Sequence, residues 1–272
     1  MNMDQINSAS QGTQEEVDSE AEEEQMTYNK SKFTLNIDYD STKATAGVVA
    51  VVCAGRVSQA LFRIIFNDEL VQVGVVEANE DSFKKPKEVL KVYAIQNFLL
   101  FFEAADMKSQ YLGQIVNEIW PSLKNNNCTI VGLSSVFKNN YTTFEGDAIE
   151  LDESKPLPLR YARSSRPDAN IDGFLTNAKN MNLDVQPDTA FNANNRLIAA
   201  LMMNAEMYGS AAITFKGIMS EHCITTEGLQ AYTPVVAGLL GLKDTNMTEI
   251  FKLPKFKPVL KELNAYKNGI FN

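Results

Sequence analysis

The sequence predicts an α/β layered sandwich, with a mostly parallel or mixed central sheet flanked by helices. Three observations predict it. Strand-like and helix-like segments alternate along the chain. Several strand-like segments are continuous β-branched apolar runs, the pattern of strands buried on both faces. The chain has 272 residues, 44% hydrophobic and 22% charged, enough to bury a sizeable core.

Residues 1–30 come first and are polar, with "EEVDSEAEEEQ" at their centre. Such a segment buries too little apolar surface to offset its ordering entropy, so it is expected to be a disordered acidic tail. "KFTLNI" (Lys32–Ile37) then alternates like a half-buried strand. "AGVVAVVCAG" (Ala46–Gly55) is a buried strand closed by glycine. "RVSQALFRIIF" (Arg56–Phe66) places Val57, Leu61, Ile64 and Ile65 on one side of a helix. "ELVQVGVVE" and "EVLKVYAIQNFLLFFEAAD" supply three more strands, with a turn at Gln96-Asn97 making an antiparallel hairpin near residues 88–104. "SQYLGQIVNEIW" (Ser109–Trp120) reads as a helix capped by Ser109 and stopped by Pro121. "CTIVGLSSV" (Cys128–Val136) is another buried strand.

Lys138–Thr189 is polar, Asn-rich and Pro-containing. Its length as a loop marks it as functional or mobile. "NANNRLIAALMMNAEMYG" (Asn192–Gly209) is a helix closed by Gly209, and "SAAITFKGI" a strand. "TTEGLQAYTPVVAGLLGL" is a helix capped at Thr225 or Thr226 that Pro234 should kink or split. "PKFKPVLKELNAYKNG" is a short amphipathic helix ended by Asn268-Gly269. The organisation read from this is one α/β domain over 31–264 and a flexible C-terminal tail over 265–272.

The formal net charge is -9, and eight acids with no Lys or Arg lie in residues 1–26, which leaves about -1 for the rest. A near-neutral body argues against a nucleic-acid footprint or a membrane-binding basic face. Cys53, Cys128 and Cys223 are too few and too scattered for a disulfide framework or zinc ribbon, and suggest a reducing compartment. With no signal segment and no apolar run of membrane-spanning length, a soluble cytoplasmic or nuclear protein is expected.

"VVCAGRVSQALF" is strand, glycine turn, helix, but only Gly55 is present where a phosphate cradle needs several glycines. Gly55 therefore reads as a turn residue. The one histidine, His222, adjoins Cys223 in "SEHCIT", yet neighbours on an extended chain point to opposite sides and form no relay. Glu145, Asp147, Glu150, Asp152 and Glu153 read as a solvated loop. No nucleophile elbow, zincin, P-loop or EF-hand pattern occurs. No catalytic residue, cofactor or metal is expected, and the balance favours a binding protein.

The C-terminus is unusual. Lys252–Asn272 carries five lysines and one acid, and the chain ends Ile270-Phe271-Asn272. Two apolar anchors followed by a free carboxylate suit insertion into a groove that offers a cation or backbone N–H groups. Folding of Ile270 and Phe271 back onto the chain's own core is the competing reading.

"KPLPLRYARSS", "NRLIAALMMNAEMYGSAAITF", "TTEGLQAYTPVVAGLLGL" and "LKELNAYKNGIFN" resemble the proteasome assembly chaperone 1 family, in order along roughly residues 45–272. The resemblance implies an α/β sandwich and a heterodimer with proteasome assembly chaperone 2. It also implies binding to the outer face of the forming proteasome α-ring and guidance of core-particle assembly. It further implies a hydrophobic–tyrosine–any (HbYX-like) terminus that inserts between α-subunits. Ile270 would be the hydrophobic, Phe271 would replace the tyrosine, and Asn272 would supply the carboxylate. Phe271 lacks the phenol hydroxyl, a hydrogen bond worth on the order of 1 kcal/mol. Docking without efficient gate opening is then expected. Lys138–Thr189 is a candidate for additional α-ring contact. The alternative from another class is an α/β enzyme of nucleoside-processing or hydrolytic type, since the same architecture hosts such chemistry.

Overall fold

In the computed structural model the first described strand, β1 (Phe33–Tyr39), alternates half-buried Phe33, Leu35, Ile37 and Tyr39 with exposed Thr34, Asn36 and Asp38. The structure describes residues 33–66, 69–81, 83–105, 107–141, 151, 157–180, 183–188, 196–219, 226–241, 256–258 and 261. The acidic tail over 1–30 and the tail over 265–272 lie outside these residues.

β2 (Val49–Ala54) enters the core and is followed by α1 (Arg56–Phe66). β3 (Val71–Glu80), β4 (Lys87–Ile95) and β5 (Phe98–Glu103) form a meander. Its tight turn is at Gln96-Asn97, where Gln96 takes φ 50°. α2 (Leu112–Asn125) leads to β6 (Thr129–Phe137), and β7 (Leu159–Arg163), α3 (Ala169–Asn180) and β8 (Val185–Pro187) follow. The described elements close with α4 (Arg196–Tyr208), β9 (Ala212–Met219), α5 (Thr226–Gln230) and a π-helical turn at Val235–Leu239.

The nine strands form one sheet in the order β1-β3-β4-β5-β2-β6-β9-β7-β8. Pairs β5–β2, β2–β6, β6–β9 and β7–β8 are parallel; β1–β3, β3–β4, β4–β5 and β9–β7 are antiparallel. The α/β class and the mixed sheet agree with expectation. The antiparallel part extends well beyond the 88–104 hairpin, because β1 and β3 add to one flank and β7 reverses on the other.

Helices cover both faces. One carries α1, α3, α5 and the π-helical turn over Val51, Cys53, Leu100, Phe102, Val131, Leu133 and Phe215. The other carries α2 and α4 over Ala50, Val52, Leu99, Phe101 and Ile130. β5 has all six residues buried, which explains its unbroken apolar spelling. Gly132 is required where α4 crosses β6. A Cβ there would lie 2.7 Å from Ile198 Cγ2 and 2.8 Å from Thr214 Oγ1.

Three expectations are corrected. Pro121 does not stop its helix; α2 runs four residues past it. The ring faces solvent together with Asn117, whose carbonyl loses its partner, so water can serve that group. Burial of Trp120 and Leu123 on the inward side outweighs the proline penalty. Ser109 is not the cap of α2, because Ser109–Tyr111 form a separate 3₁₀ turn. Lys138–Thr189 is not one long loop. It contains β7, α3 and β8. The α3 start is fixed by Asp168, whose Oδ1 accepts from the N–H groups of Asn170 (2.9 Å) and Ile171 (3.0 Å). The expected break near Pro234 is present, with α5 ending at Gln230 and Ala231-Tyr232 forming a turn.

Candidate functional site

The C-terminal residues Ile270, Phe271 and Asn272 lie outside the described residues. So do His222, Cys223 and the carboxylates Glu145, Asp147, Glu150, Asp152 and Glu153. Just upstream, Phe256 is buried against the α1/α3 face of the core. That contact ties the chain to the sandwich before its final residues.

The carboxyl ends of the parallel strands are where open α/β sheets usually place their chemistry. Gly55 makes the turn from β2 into α1 at φ 98°, a conformation suited to glycine. Beside it the Gln59 amide donates to the carbonyls of Cys53 (3.1 Å) and Glu103 (2.7 Å). The space a phosphate would need at the β2–α1 turn is thus crossed by a side chain that fastens β2 to β5. This agrees with the reading of Gly55 as a turn residue.

On the α4 face, one register row starts at the carboxyl ends of β2 and β5 and continues across the sheet through β6, β9 and β7. Ala54 lies opposite both Glu103 and Ser134, Ser134 opposite Lys216, and Lys216 opposite Arg160. Five strands at the usual spacing make a row of roughly 19 Å. Four of its five members are polar, yet every one is buried. Lys216 forms an ion pair with Asp188, and the Tyr141 hydroxyl donates to the other Asp188 oxygen at 3.0 Å. Arg160 Nη1 pairs with Asp184 at 3.1 Å. Glu103 is the exception. The residue is 7% exposed, and Oε2 has no hydrogen-bond partner among the described residues. Burial pushes its carboxyl up to about 7, against the Leu197 backbone N–H and the Arg196 charge, which both favour the anion. The N-terminus of α4 therefore rests on a carboxyl that is about half neutral at pH 7.

A second feature lies on the outside of α4. Its inward side (Leu197, Ile198, Leu201, Ala205) is buried, but Met203 and Met207 are 61% and 68% exposed. At its C-terminal end the Tyr208 ring lies 5.9 Å from that of Trp120 and carries Lys124 Nζ 4.2 Å from its centroid. Among the described residues no group of three His, Cys, Asp or Glu could hold a metal, and no helix is long and apolar enough to cross a membrane.

Sequence reasoning did not single out Glu103, Lys216, Arg160 or the methionine stripe. The available signal was one charge in an apolar strand for Glu103 and Lys216, in "FLLFFE" and "AITFKGI"; "LRYAR" carries two arginines and gives no such contrast. That these charges share a row depends on register between segments far apart in the chain.

No protein-family model and no curated protein sequence matches the chain. Solved structures do match in fold. Pyrococcus furiosus PbaB, an archaeal proteasome activator, has a TM-score of 0.56 at 11% identity, covering 87% of this chain and 99% of that one. Pyrococcus furiosus PbaA, an archaeal homolog of proteasome-assembly chaperone, has a TM-score of 0.53 at 12% identity, covering 87% and 90%. A Thermoplasma acidophilum protein of unknown function has a TM-score of 0.53 at 12% identity, covering 84% and 92%. At such identities the likeness concerns the fold alone, and the α/β fold described above is consistent with that of these proteins.

Proposed function

We propose that this chain is a non-enzymatic assembly chaperone for the proteasome core particle, working in the cytoplasm or nucleus. It binds the α-ring as a heterodimer with a second α/β chain, proteasome assembly chaperone 2. The observation that carries the reading is the fold shared over 87% of the chain with an archaeal homolog of proteasome-assembly chaperone. The sequence adds an ending, Ile270-Phe271-Asn272, of the hydrophobic–aromatic–carboxylate type. In this reading the two apolar side chains fill a groove between α-subunits and the carboxylate meets a cation there. Eleven residues follow Lys261, so the carboxylate has a reach of at most ~40 Å from that point.

The experiment is a paired pull-down from cell extract with the full chain and a chain lacking residues 270–272, read by mass spectrometry. The full chain should recover α-ring subunits and one α/β partner. The truncated chain should keep the partner and lose the α-ring. Recovery of no proteasome subunit by either bait would overturn the reading.

The buried polar row across the sheet, with its orphan Glu103 oxygen, is the feature that suits the rival reading of a nucleoside-processing or hydrolytic enzyme. A specific small ligand raises apparent stability by mass action. A thermal-shift screen of nucleosides and esters that moves the melting temperature of the wild-type chain, and not of Glu103→Gln, would favour that rival.

A further inference from the structure

β1 stands at one end of the sheet, hydrogen-bonded to β3 on one side and to no strand on the other among the described residues. The Asp40 N–H donates to the Val73 carbonyl at 2.9 Å, which continues the β1–β3 register by one pair. Hydrogen-bonded pairs alternate along an antiparallel ladder, so Thr34, Asn36 and Asp38 turn their backbone groups to β3. Phe33, Leu35, Ile37 and Tyr39 turn both N–H and C=O to the open side. Their side chains are half-buried on the α2 face, while Thr34, Asn36 and Asp38 are exposed on the other.

Sheet edges are normally guarded by a short strand, a proline, a bulge or lysines. The opposite end of this sheet is guarded in that way, since β8 has three residues and ends in Pro187. β1 has seven residues, no proline, no lysine and an unbroken register against β3. Its sequence, FTLNIDY, also fits itself when reversed. With a two-fold axis at Asn36, Phe33 lies opposite Tyr39 of a second copy, Thr34 opposite Asp38, and Leu35 opposite Ile37. The four residues with open backbone groups then face one another, and each exchanges both hydrogen bonds with its opposite number. An aromatic pair and an aliphatic pair form on the α2 face, and Asp38 meets a hydroxyl instead of a like charge. A slip by one residue would set open backbone groups against used ones. A parallel arrangement would start the acidic residues 1–26 of both chains side by side, whereas the reversed one starts them about 20 Å apart.

We propose that the open edge of β1 takes a second copy of this chain, β1 pairing antiparallel with β1 across a two-fold axis at Asn36, so that one sheet runs through both molecules. A joint of two edge strands is small, and the dimer dissociates on dilution. The joint uses neither helix-covered face of the sandwich nor residues 270–272, and it does not rest on the chaperone reading.

The test is sedimentation velocity of the full chain over a concentration series, with the melting temperature of each variant to show that it remains folded. Wild type should pass from monomer to dimer as concentration rises. Thr34→Asp sets two carboxylates opposite each other at both ends of the joint and should weaken the dimer about tenfold. Thr34→Lys sets an ion pair at the same two places and should tighten it. Thr34→Asp/Asp38→Lys restores opposite charges and should recover the association that Thr34→Asp loses. The register is read by disulfide formation. Residues 34 and 38 of the two copies face each other at a Cα separation of about 4.5 Å, within disulfide range. An equimolar mixture of Thr34→Cys and Asp38→Cys should therefore cross-link on mild oxidation. Either variant alone should cross-link no more than wild type, because like residues lie roughly 14 Å apart. A wild-type chain that stays monomeric at every concentration overturns the proposal. So does a dimer indifferent to the charge substitutions, or Thr34→Cys cross-linking to itself.

Discussion

Glu103→Gln should stabilise the chain at alkaline pH and leave it unchanged at acid pH. In the fold the Glu103 carboxyl titrates at about 7, chiefly because burial disfavours its charge, against 4.5 in the unfolded chain. The folded state therefore binds the proton more tightly. The stabilising contribution is complete below pH 4.5 and is lost as pH rises through 7. The gap, at about 1.4 kcal/mol per pH step, comes to roughly 3 kcal/mol by pH 8. The glutamine amide keeps a carbonyl that can accept from the Leu197 N–H, and it carries no charge to bury. Urea unfolding of wild type and variant at pH 5 and pH 8 measures the effect. The two proteins should differ by less than about 1 kcal/mol at pH 5, and the variant should be more stable by about 3 kcal/mol at pH 8. Parallel pH dependences, or a variant less stable at pH 8, would refute the assignment of Glu103 as a buried, half-neutral carboxyl.

Four further outcomes are expected. Gly132→Ala places a methyl against Ile198 and Thr214, pushes α4 off the sheet, and should cost roughly 1–3 kcal/mol in urea unfolding. Tyr232→Phe removes a buried hydroxyl that donates to the Ser134 carbonyl and should lower stability by about 1–2 kcal/mol in the same assay. Lys216→Met takes the cation from the buried pair with Asp188. It should cost about 3 kcal/mol or more, and Lys216→Met/Asp188→Leu should recover much of that loss. Phe271→Tyr should bind core particles more tightly and raise peptide hydrolysis by them; no change in either would count against the C-terminal docking reading.

The sequence was informative wherever structure depends on near neighbours. α1 has the predicted bounds, since its apolar spacing, the preceding glycine and the flanking polar residues agree. The Gln96-Asn97 turn sits between two runs too apolar to be anything but strands. It was less informative where distant segments decide. β7 reads as polar because Arg160 and Arg163 are in it, and only pairing with β9 and an ion pair to Asp184 make Arg160 tolerable inside. β8 is three residues long and has no periodicity to read. Pro121 misled because a local rule was applied where packing on both sides prevailed. The candidate surfaces follow the same division. The bare methionines of α4 were foreshadowed by its all-round apolar spelling. The buried row of Glu103, Ser134, Lys216 and Arg160 needed the register of the sheet.

The strand order also bears on how the chain matures as it leaves the ribosome. β9 is the last described strand in the sequence, yet it sits between β6 and β7. Until residues 212–219 emerge, β6 has an open hydrogen-bonding edge, and the small β7–β8 pair has nothing to join it to the rest. The β3–β4–β5 meander can form early from neighbouring segments, whereas the β6–β9 ladder closes a separation of about 80 residues and comes late. A nascent or prematurely terminated chain that stops before Ala212 would display two unprotected strand edges of the kind that invite intermolecular pairing. β9 thus works as a keystone, and its emergence is what joins a six-stranded piece and a two-stranded piece into one sheet.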